Sequence, residues 1–286
     1  MNIKGWKYYN HAVVPTCAPH ETPDLAPISD ERIWSLGGGK NVLFARFVTD
    51  FDCNEETPFW YVVKDGPFVF EALDKKYQKN VKRALDRCEA RRINQREYVE
   101  DIWRVYSAAY EKYETADNEV SKEEFVAALQ EDTDEYWGAF NRETGEMAGW
   151  MSCQNYGSCT ETKKAKYHPD LQSYCRPSDV LHYAVLNHYL NELHQWYVTS
   201  GTRNINHKTN VQEYKIKNWN FRKAYCILHV EYRPVVRLAV GLLYPLRQVL
   251  MRFDGITKIH QLNALLMLEK LARECRRKKI PKPNTN

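Results

Sequence analysis

The sequence lacks the signatures of several common protein classes. Its eight cysteines include no Cys-x-x-Cys pair, and its nine histidines form no cluster with zinc-ligand spacing. The N-terminus has no apolar segment of about 7–15 residues, as a signal peptide would. No run of about 18 uninterrupted apolar residues is present either. We therefore expect a cytoplasmic protein with free thiols and no metal.

The chain also lacks a strong excess of charge. Its 41 basic and 37 acidic side chains leave a net charge of +4, which is too small to indicate nucleic-acid binding by itself. Hydrophobic residues make up 43% and charged residues 27%, as in ordinary soluble globular proteins. At 286 residues the chain can form one large or two small domains with a core.

The most informative pattern covers residues 195–234. An apolar run ends at Ser200-Gly201, a turn signal, and a polar loop follows at 203–210. Asn210 as N-cap, with Glu213 three residues later, predicts a helix over 211–219. Alternating apolar and polar side chains over 221–233 then predict one long strand. The expected order is strand, loop, helix, strand.

The residues before this stretch predict helices and an antiparallel sheet. Amphipathic helices are expected at 98–112 and from Ser121, whose Ser-Lys-Glu-Glu sequence is a capping box. Strands at 136–140, 147–156 and 159–167 follow, separated by turn residues. A further helix is expected over 180–193. Residues 1–40, with four spaced prolines, are expected to be irregular.

This order resembles the C-terminal half of the GNAT acyltransferase fold. The segment Ile216-Lys217-Asn218-Trp219-Asn220 also resembles the Phe-Lys-x-x-Gly signature of the FemAB-like branch, which joins amino acids to cell-wall precursors. Ile216 replaces the aromatic residue, and Asn220 replaces the glycine. Asparagine tolerates a left-handed backbone better than other non-glycine residues. The resemblance is best over 98–234.

The resemblance implies an α/β (α+β) fold, with a mixed, mostly antiparallel twisted sheet flanked by helices. We expect three segments: a partial or divergent α/β region at 1–97, a GNAT-like domain at 98–234 and a C-terminal helical extension at 235–286. The implied activity is transfer of an acyl group from acetyl-CoA, or another acyl-CoA, to an amine on a sugar or peptide of the cell envelope.

The resemblance also implies where a coenzyme A thioester would bind. In GNAT proteins a glycine-rich loop and the following helix N-terminus hold the diphosphate through backbone N–H groups. The corresponding loop here has no glycine. The residues expected to contact the cofactor are Tyr167, Arg176, Ser178, Asp179 and Val180.

Acyl transfer needs a base for the amine, a donor to the developing oxyanion and an acid for the leaving group. Tyr214 is the first candidate for the acid and Tyr167 the second, whereas His168, Glu213 and His207 are candidates for the base. The resemblance to the GNAT fold implies an oxyanion donor in the backbone of 166–168. The substrate-binding candidates are Lys217, at the lysine of the FemAB-like signature, together with Arg203 and Asn206 in the polar loop.

Two alternatives remain open at this stage. A helix predicted at 70–89 has a dense basic face, either simply solvated or an anion site, and with the glycine-free loop it suits an aminoacyl-tRNA donor. The members of this face are Lys75, Lys76, Lys79, Lys82, Arg83 and Arg87. The other alternative is a non-catalytic binding module that lies peripherally on the inner membrane face through its apolar, arginine-bearing C-terminal helices. Those helices could equally pack on the core or form a homodimer contact.

Overall fold

The computed structural model describes residues 3–37, 42–112, 120–203 and 210–279. The strands in these ranges are β1 (Trp6–Tyr9), β2 (Ala12–Pro15), β3 (Phe44–Thr49), β4 (Trp60–Asp65), β5 (Cys88–Ile93), β6 (Glu135–Asn141), β7 (Met147–Asn155), β8 (Cys159–Tyr167), β9 (Tyr197–Thr202), β10 (Arg222–Tyr225) and β11 (Ile227–Tyr232). The helices are α1 (Ala26–Ser29), α2 (Lys75–Arg87), α3 (Val99–Tyr110), α4 (Lys122–Glu131), α5 (Gln172–Cys175), α6 (Pro177–Leu186), α7 (Val211–Trp219), α8 (Pro234–Leu243), α9 (Arg247–Leu250) and α10 (Thr257–Lys279).

The contacts between residues divide the chain into two compact units. Unit 1 comprises residues 1–61, 202–210 and 223–286, and unit 2 comprises 62–201 and 211–222. The division into 1–97, 98–234 and 235–286 stays a prediction about domains.

Unit 1 contains a four-stranded sheet in the order β1-β2-β3-β11. Strands β1 and β2 form an antiparallel hairpin, β2 runs parallel to β3, and β3 is antiparallel to β11. The expectation of an irregular N-terminus was therefore wrong. Asn10 and His11 both have positive φ angles, 45° and 61°, which match a two-residue hairpin turn.

The C-terminal helices pack on this sheet. Leu228 of β11 is fully buried and belongs to one apolar cluster with Val240 of α8 and Leu266 and Leu271 of α10. Cys226 separates β10 from β11: its N–H donates to the carbonyl oxygen of Phe59. The single strand predicted at 221–233 is thus two strands, and these belong to different sheets.

Unit 2 is built around a seven-stranded sheet in the order β10-β4-β9-β8-β7-β6-β5, of which β4, β9 and β10 each cross a unit boundary. Strands β5 to β8 are antiparallel, and β8 is parallel to β9. Ile102 of α3 and Leu129 of α4 pack with Phe140 and Trp150 of the sheet. The order α3, α4, β6–β8, α6, β9, α7 confirms the predicted GNAT-like arrangement of mixed sheet and flanking helices.

Two local predictions concern the end of α2 and the start of α4. The helix predicted over 70–89 ends at Arg87, because the chain continues into β5, which pairs with β6. The capping box at the start of α4 is confirmed, since the Ser121 hydroxyl accepts from the N–H of Glu124 and the Glu124 carboxylate accepts from the N–H of Ser121.

Candidate functional site

The parallel strands β8 and β9 separate from each other about half-way along β8. Their ladder joins Cys159, Thr160 and Glu161 to residues 197–199, whereas β8 continues to Tyr167 against β7. At the next position the backbone ladder is replaced by a side-chain bond, in which the Thr162 hydroxyl donates to the carbonyl oxygen of Thr199 over 3.2 Å. We call the region beyond this bond the strand opening.

A lysine of α7 reaches the base of the strand opening. The Nζ atom of Lys215 donates to Oγ1 of Thr162 over 3.2 Å, and only 5% of the lysine is exposed. Its other near neighbours are the ring of Phe221, 5.7 Å from Nζ, and the buried thiol of Cys153. Lys215 therefore places an amine inside unit 2 where the sheet separates.

The charge of Lys215 is poorly compensated. Burial lowers the pKa of its ammonium group to about 8, and burial also raises the pKa of the Cys153 thiol, which keeps that sulfur neutral. Across the described ranges no carboxylate pairs with Lys215. A buried cation without an anionic partner is unfavourable by itself, and it stabilises an anion that arrives beside it.

A neutral histidine lies in the same region. The Nδ1 atom of His182 is 2.6 Å from the carbonyl oxygen of Ser178, and its ring stacks on Trp219. Burial, followed by the positive charge of Lys215, lowers the pKa of His182 to about 3. Because the carbonyl must accept, Nδ1 carries the proton and Nε2 is the acceptor. Nε2 is buried with no partner among the described residues.

A second constellation joins three helices of unit 2. The carboxylate of Asp179 on α6 accepts through Oδ1 from the hydroxyls of Tyr77 on α2 and Tyr214 on α7, over 2.5 Å and 2.6 Å. Its other oxygen, Oδ2, accepts from Nε of Arg176 over 2.6 Å. Asp179 is 98% buried by this arrangement, so a carboxylate, a guanidinium group and two phenols are brought together.

Both phenols of this constellation keep their protons at neutral pH. Burial raises the pKa of Tyr214, and the negative charge of Asp179 raises it further. The pKa of Tyr77 is also raised, by burial and then by the neighbouring Tyr214 and Asp179. A protonated phenol held in a fixed orientation can donate to a leaving group.

The N-terminus of α6 is shaped for close packing. Arg176 has a left-handed backbone with φ of 46°, and Pro177 follows at the first helical position. A Cβ atom at Gly149 of β7 would lie 2.9 Å from Cβ of Pro177 and 2.9 Å from the ring of Tyr167. Gly149 is therefore required for the helix start and Tyr167 to approach the sheet.

Few backbone N–H groups at the start of α6 remain available to bind a diphosphate. Pro177 has none, and those of Asp179 and Val180 point to the carbonyl oxygen of Arg176, over 2.9 Å and 3.4 Å. The carboxylate of Asp179 also lies in the first turn, where it interacts favourably with the helix dipole. This site thus differs from a loop that is open to a diphosphate.

Of the residues proposed from the sequence, Arg176, Asp179 and Tyr214 lie together. Ser178 precedes Asp179 in α6 and its carbonyl oxygen accepts from Nδ1 of His182, whereas Val180 is buried in α6. Glu213 and Lys217 lie on the exposed side of α7. These placements leave the proposed roles of all these residues as predictions.

The remaining candidates lie elsewhere. His168 follows β8, and its N–H already donates to Ala148, so this group of the expected oxyanion backbone is engaged. Arg203 belongs to unit 1, where it stacks on Trp60 and donates to the carbonyl oxygen of Pro58. Asn206 and His207 lie outside the described residues.

Three residues of the site were not singled out from the sequence: Tyr77, His182 and Lys215. Lys215 precedes the buried Trp219 by four positions, so both lie on one face of α7. That spacing was the available signal for Lys215. Tyr77 gave no comparable signal, because its partners Asp179 and Tyr214 are far away in sequence.

Helix α2 connects the site to a charged surface. Its buried residues are Tyr77, Val81 and Ala84. Its exposed residues include the basic side chains Lys75, Lys76, Lys79, Lys82, Arg83 and Arg87. The same helix thus inserts a phenol into the constellation and presents a basic face to solvent.

No cluster of three His, Cys, Asp or Glu side chains with metal-binding geometry occurs among the residues that the structure describes. The eight cysteines are free thiols.

No family model matches the sequence, and no curated protein matches it. Among solved structures the chain is similar to FemX, with a TM-score of 0.49 and 11% identity over 63% of each chain. It is also similar to L-PGS from Bacillus licheniformis, with a TM-score of 0.47 and 11% identity over 80% of this chain and 79% of that one. A tandem GNAT protein from the clavulanic acid biosynthesis pathway has a TM-score of 0.42 and 10% identity over 77% and 75% of the two chains. The neighbours are thus FemAB-like and GNAT proteins, and a likeness this distant carries no argument about chemistry.

Proposed function

We propose that unit 2 is an N-acyltransferase that moves an acyl group to an amine on a sugar or peptide of the cell envelope. The observation that carries the proposal is Lys215, an uncompensated ammonium group at the base of the strand opening. An acyl carbonyl in that opening would develop negative charge on its oxygen as the amine attacks. Lys215 supplies the opposite charge in a site that is already desolvated.

The proposed reaction divides its proton transfers between two groups. The amine nitrogen forms a bond to the carbonyl carbon and loses a proton to a base. Nδ1 of His168 is a candidate, because it has no hydrogen-bond partner among the described residues. The bond from the carbonyl carbon to the leaving sulfur or oxygen then breaks. The leaving group takes a proton from Tyr214, which its partners keep protonated.

An acyl-CoA is the first donor to test. A native-state ligand at a hundredfold excess over its dissociation constant stabilises the protein by about 2.7 kcal/mol. We expect millimolar acetyl-CoA to raise the unfolding midpoint of the wild type but not of Arg176→Ala. Arg32→Ala, which removes a different surface arginine paired with an aspartate, is the matched control. No shift with acetyl-CoA or longer acyl-CoAs would exclude coenzyme A donors.

An aminoacyl-tRNA is the second candidate donor, and a specific observation favours it. Asp179 and its ion pair with Arg176 occupy the helix start where a diphosphate would bind. Tyr77, in contrast, connects the basic face of α2 directly to Tyr214. A nucleic acid lying along that face would bring its esterified end towards the proposed acid. The basic residues would bind phosphates without reading sequence.

The tRNA donor is tested by the dependence of affinity on salt. We expect the logarithm of the association constant to fall steeply with the logarithm of salt concentration, because phosphate contacts release counterions. Lys79→Gln, Lys82→Gln and Arg83→Gln together should reduce that slope by about 2–3. Lys122→Gln, an exposed lysine of α4, is the control. Equal slopes in wild type and triple variant would remove α2 from the donor site.

The location that we propose is the cytoplasm, where free thiols stay reduced. If neither donor binds and Lys215→Met leaves the biological function intact, unit 2 is a non-catalytic binding module.

A further inference from the structure

The segment after β11 exposes a long apolar stripe. Its members recur every three or four residues through α8, α9 and the turns that join them, so they share one side of a helical path. Leu238 and Leu242 are each 68% exposed. The exposed stripe consists of Val235, Leu238, Leu242, Leu246, Val249, Phe253 and Ile256. This amount of contiguous exposed aliphatic surface is uncommon on a soluble monomer and marks an interaction surface.

The other side of the same segment is packed on unit 1. Val240 is buried in the apolar cluster of β11 and α10, and Val236, Leu243 and Leu250 are partly buried against it. Residues Pro234–Phe253 form a stretch of 20 residues that is long and apolar enough to cross a membrane, and 6% of it is buried. Crossing would separate Val240 and its neighbours from the core on which they pack. The segment is therefore better suited to lie along a surface.

Charge on the segment is mostly positive. Residues 232–256 contain four arginines, Arg233, Arg237, Arg247 and Arg252, and one acidic residue, Asp254. Arg247 is held inwards, since its guanidinium group stacks on the ring of Tyr244 at 4.4 Å. Arg237 and Arg252 are exposed, and each directly precedes a member of the stripe, Leu238 and Phe253. Arg237 has an ion pair with Glu231 over 3.0 Å, but an exposed pair of this kind is weak.

We infer that this stripe docks unit 1 on an anionic lipid surface, with the leucines among the acyl chains and the arginines at the headgroups. Apolar area and basic side chains act together in such binding. A second copy of the chain fits less well, because a two-fold contact would bring the arginines of the stripe towards their own copies. The inference does not rest on the proposed acyl transfer, since its residues belong to unit 1.

Partition to vesicles tests the inference without any assay of activity. The full-length protein is sedimented with vesicles of phosphatidylcholine and with vesicles of phosphatidylcholine mixed with phosphatidylglycerol. We expect about tenfold tighter binding to the anionic vesicles, because each basic residue near the surface favours binding. Added salt and the double variant Arg237→Gln/Arg252→Gln should each abolish that preference.

The apolar part is tested by Leu238→Gln/Leu242→Gln, which should weaken partition roughly 100-fold. Both leucines are exposed, so the variant should keep the wild-type thermal midpoint. Val69→Gln/Leu193→Gln is the matched control, because these exposed apolar residues belong to unit 2. Equal partition of the leucine variant and the wild type would overturn the inference.

Two further outcomes identify other occupants. A wild-type dimer in analytical ultracentrifugation that becomes a monomer in the leucine variant, without vesicle binding, would assign the stripe to a second copy. Protein that resists extraction from vesicles by alkaline carbonate would assign the segment to a membrane span. Both results overturn surface docking.

Discussion

The hydroxyl oxygens of Tyr77 and Tyr214 lie 2.6 Å apart, although the residues are 137 positions apart in the chain. Both hydroxyls donate hydrogen bonds to Oδ1 of Asp179, so α2, α6 and α7 are joined through one carboxylate. This fixes the orientation of Tyr214 more tightly than a single bond would. It also makes the proposed acid sensitive to changes on α2, a helix that carries no other residue of the constellation.

The first prediction concerns the stability of this constellation. Asp179→Asn replaces a buried charged acceptor of three hydrogen bonds, and bonds to charged groups contribute about 1.5–3 kcal/mol. We expect a loss of roughly 3 kcal/mol in the free energy of unfolding. The measurement is denaturant unfolding of Asp179→Asn, Tyr77→Phe and the double variant. Because the residues touch, the double variant should lose less than the sum of the two single losses.

A suitable control for this cycle is Asp65→Asn combined with Tyr77→Phe. Asp65 pairs with Arg222 on an exposed part of unit 2 and has no described contact with Tyr77. Its effect should add to that of Tyr77→Phe within about 0.5 kcal/mol. Strict additivity in the Asp179 cycle as well would show that the three helices are not energetically coupled.

The order of elements in unit 2 could be predicted because each signal is local. The capping box at Ser121 and the turns between β6, β7 and β8 depend on neighbouring residues only. The strand β5 was not predicted: its first two residues were included in the helix at 70–89, whereas its pairing with β6 decides the conformation. Tertiary context overrides propensity there.

The site was predictable only in part, because contacts between residues distant in sequence bring its side chains together. Tyr214 and Asp179 were identified through the resemblance to acyltransferases, but not as partners of each other. Counting along the FemAB-like signature selected Lys217, which is exposed, whereas Lys215 is the buried lysine of the same helix. Which lysine enters the core depends on Thr162 and the strand opening, and these are distant in sequence.

The second prediction concerns catalysis by Tyr214. Tyr214→Phe should lower kcat of acyl transfer about 100-fold while KM changes little, because general acid catalysis typically contributes at least that factor. The measurement is steady-state kinetics with the donor identified by the binding experiments. Tyr225→Phe is the control, since its hydroxyl also bonds a carboxylate, that of Glu56, but belongs to unit 1. A kcat for Tyr214→Phe within a factor of about two of the wild type would exclude the proposed acid.

The third prediction concerns Asn220, at the glycine position of the signature. Its φ of 55° confirms the left-handed backbone that the resemblance implies. Asn220→Ala should destabilise the protein by about 1–2 kcal/mol, because a Cβ is unfavourable there and alanine has no polar group to compensate. Asn220→Gly should be milder, although it also loses the bond from Nδ2 to the carbonyl oxygen of Ala72. Urea unfolding measures the free energy of unfolding of both variants. A value for Asn220→Ala that equals or exceeds the value for Asn220→Gly would contradict the backbone argument.

The fourth prediction concerns Lys215 and pH. Burial lowers the pKa of its ammonium group to about 8 from 10.5, so the unfolded chain binds this proton more tightly than the folded protein. Below pH 8 both states are protonated and the full cost of the buried charge is present. Between about pH 8 and 10.5 the folded lysine is neutral while the unfolded one is charged, so this group raises stability as pH rises. The total gain in the free energy of unfolding over this pH range is on the order of 3 kcal/mol.

The difference between wild type and Lys215→Met isolates this contribution. Buried thiols and phenols with raised pKa values away from Lys215, such as Cys226 and Tyr136, oppose it at high pH, and they are the same in both proteins. We expect the methionine variant to be more stable at pH 7 by about 3 kcal/mol and the two proteins to converge towards pH 10. Unfolding in urea at several pH values measures this. A constant difference across that range would mean that Lys215 titrates normally, and the uncompensated charge that supports the proposed oxyanion site would be absent.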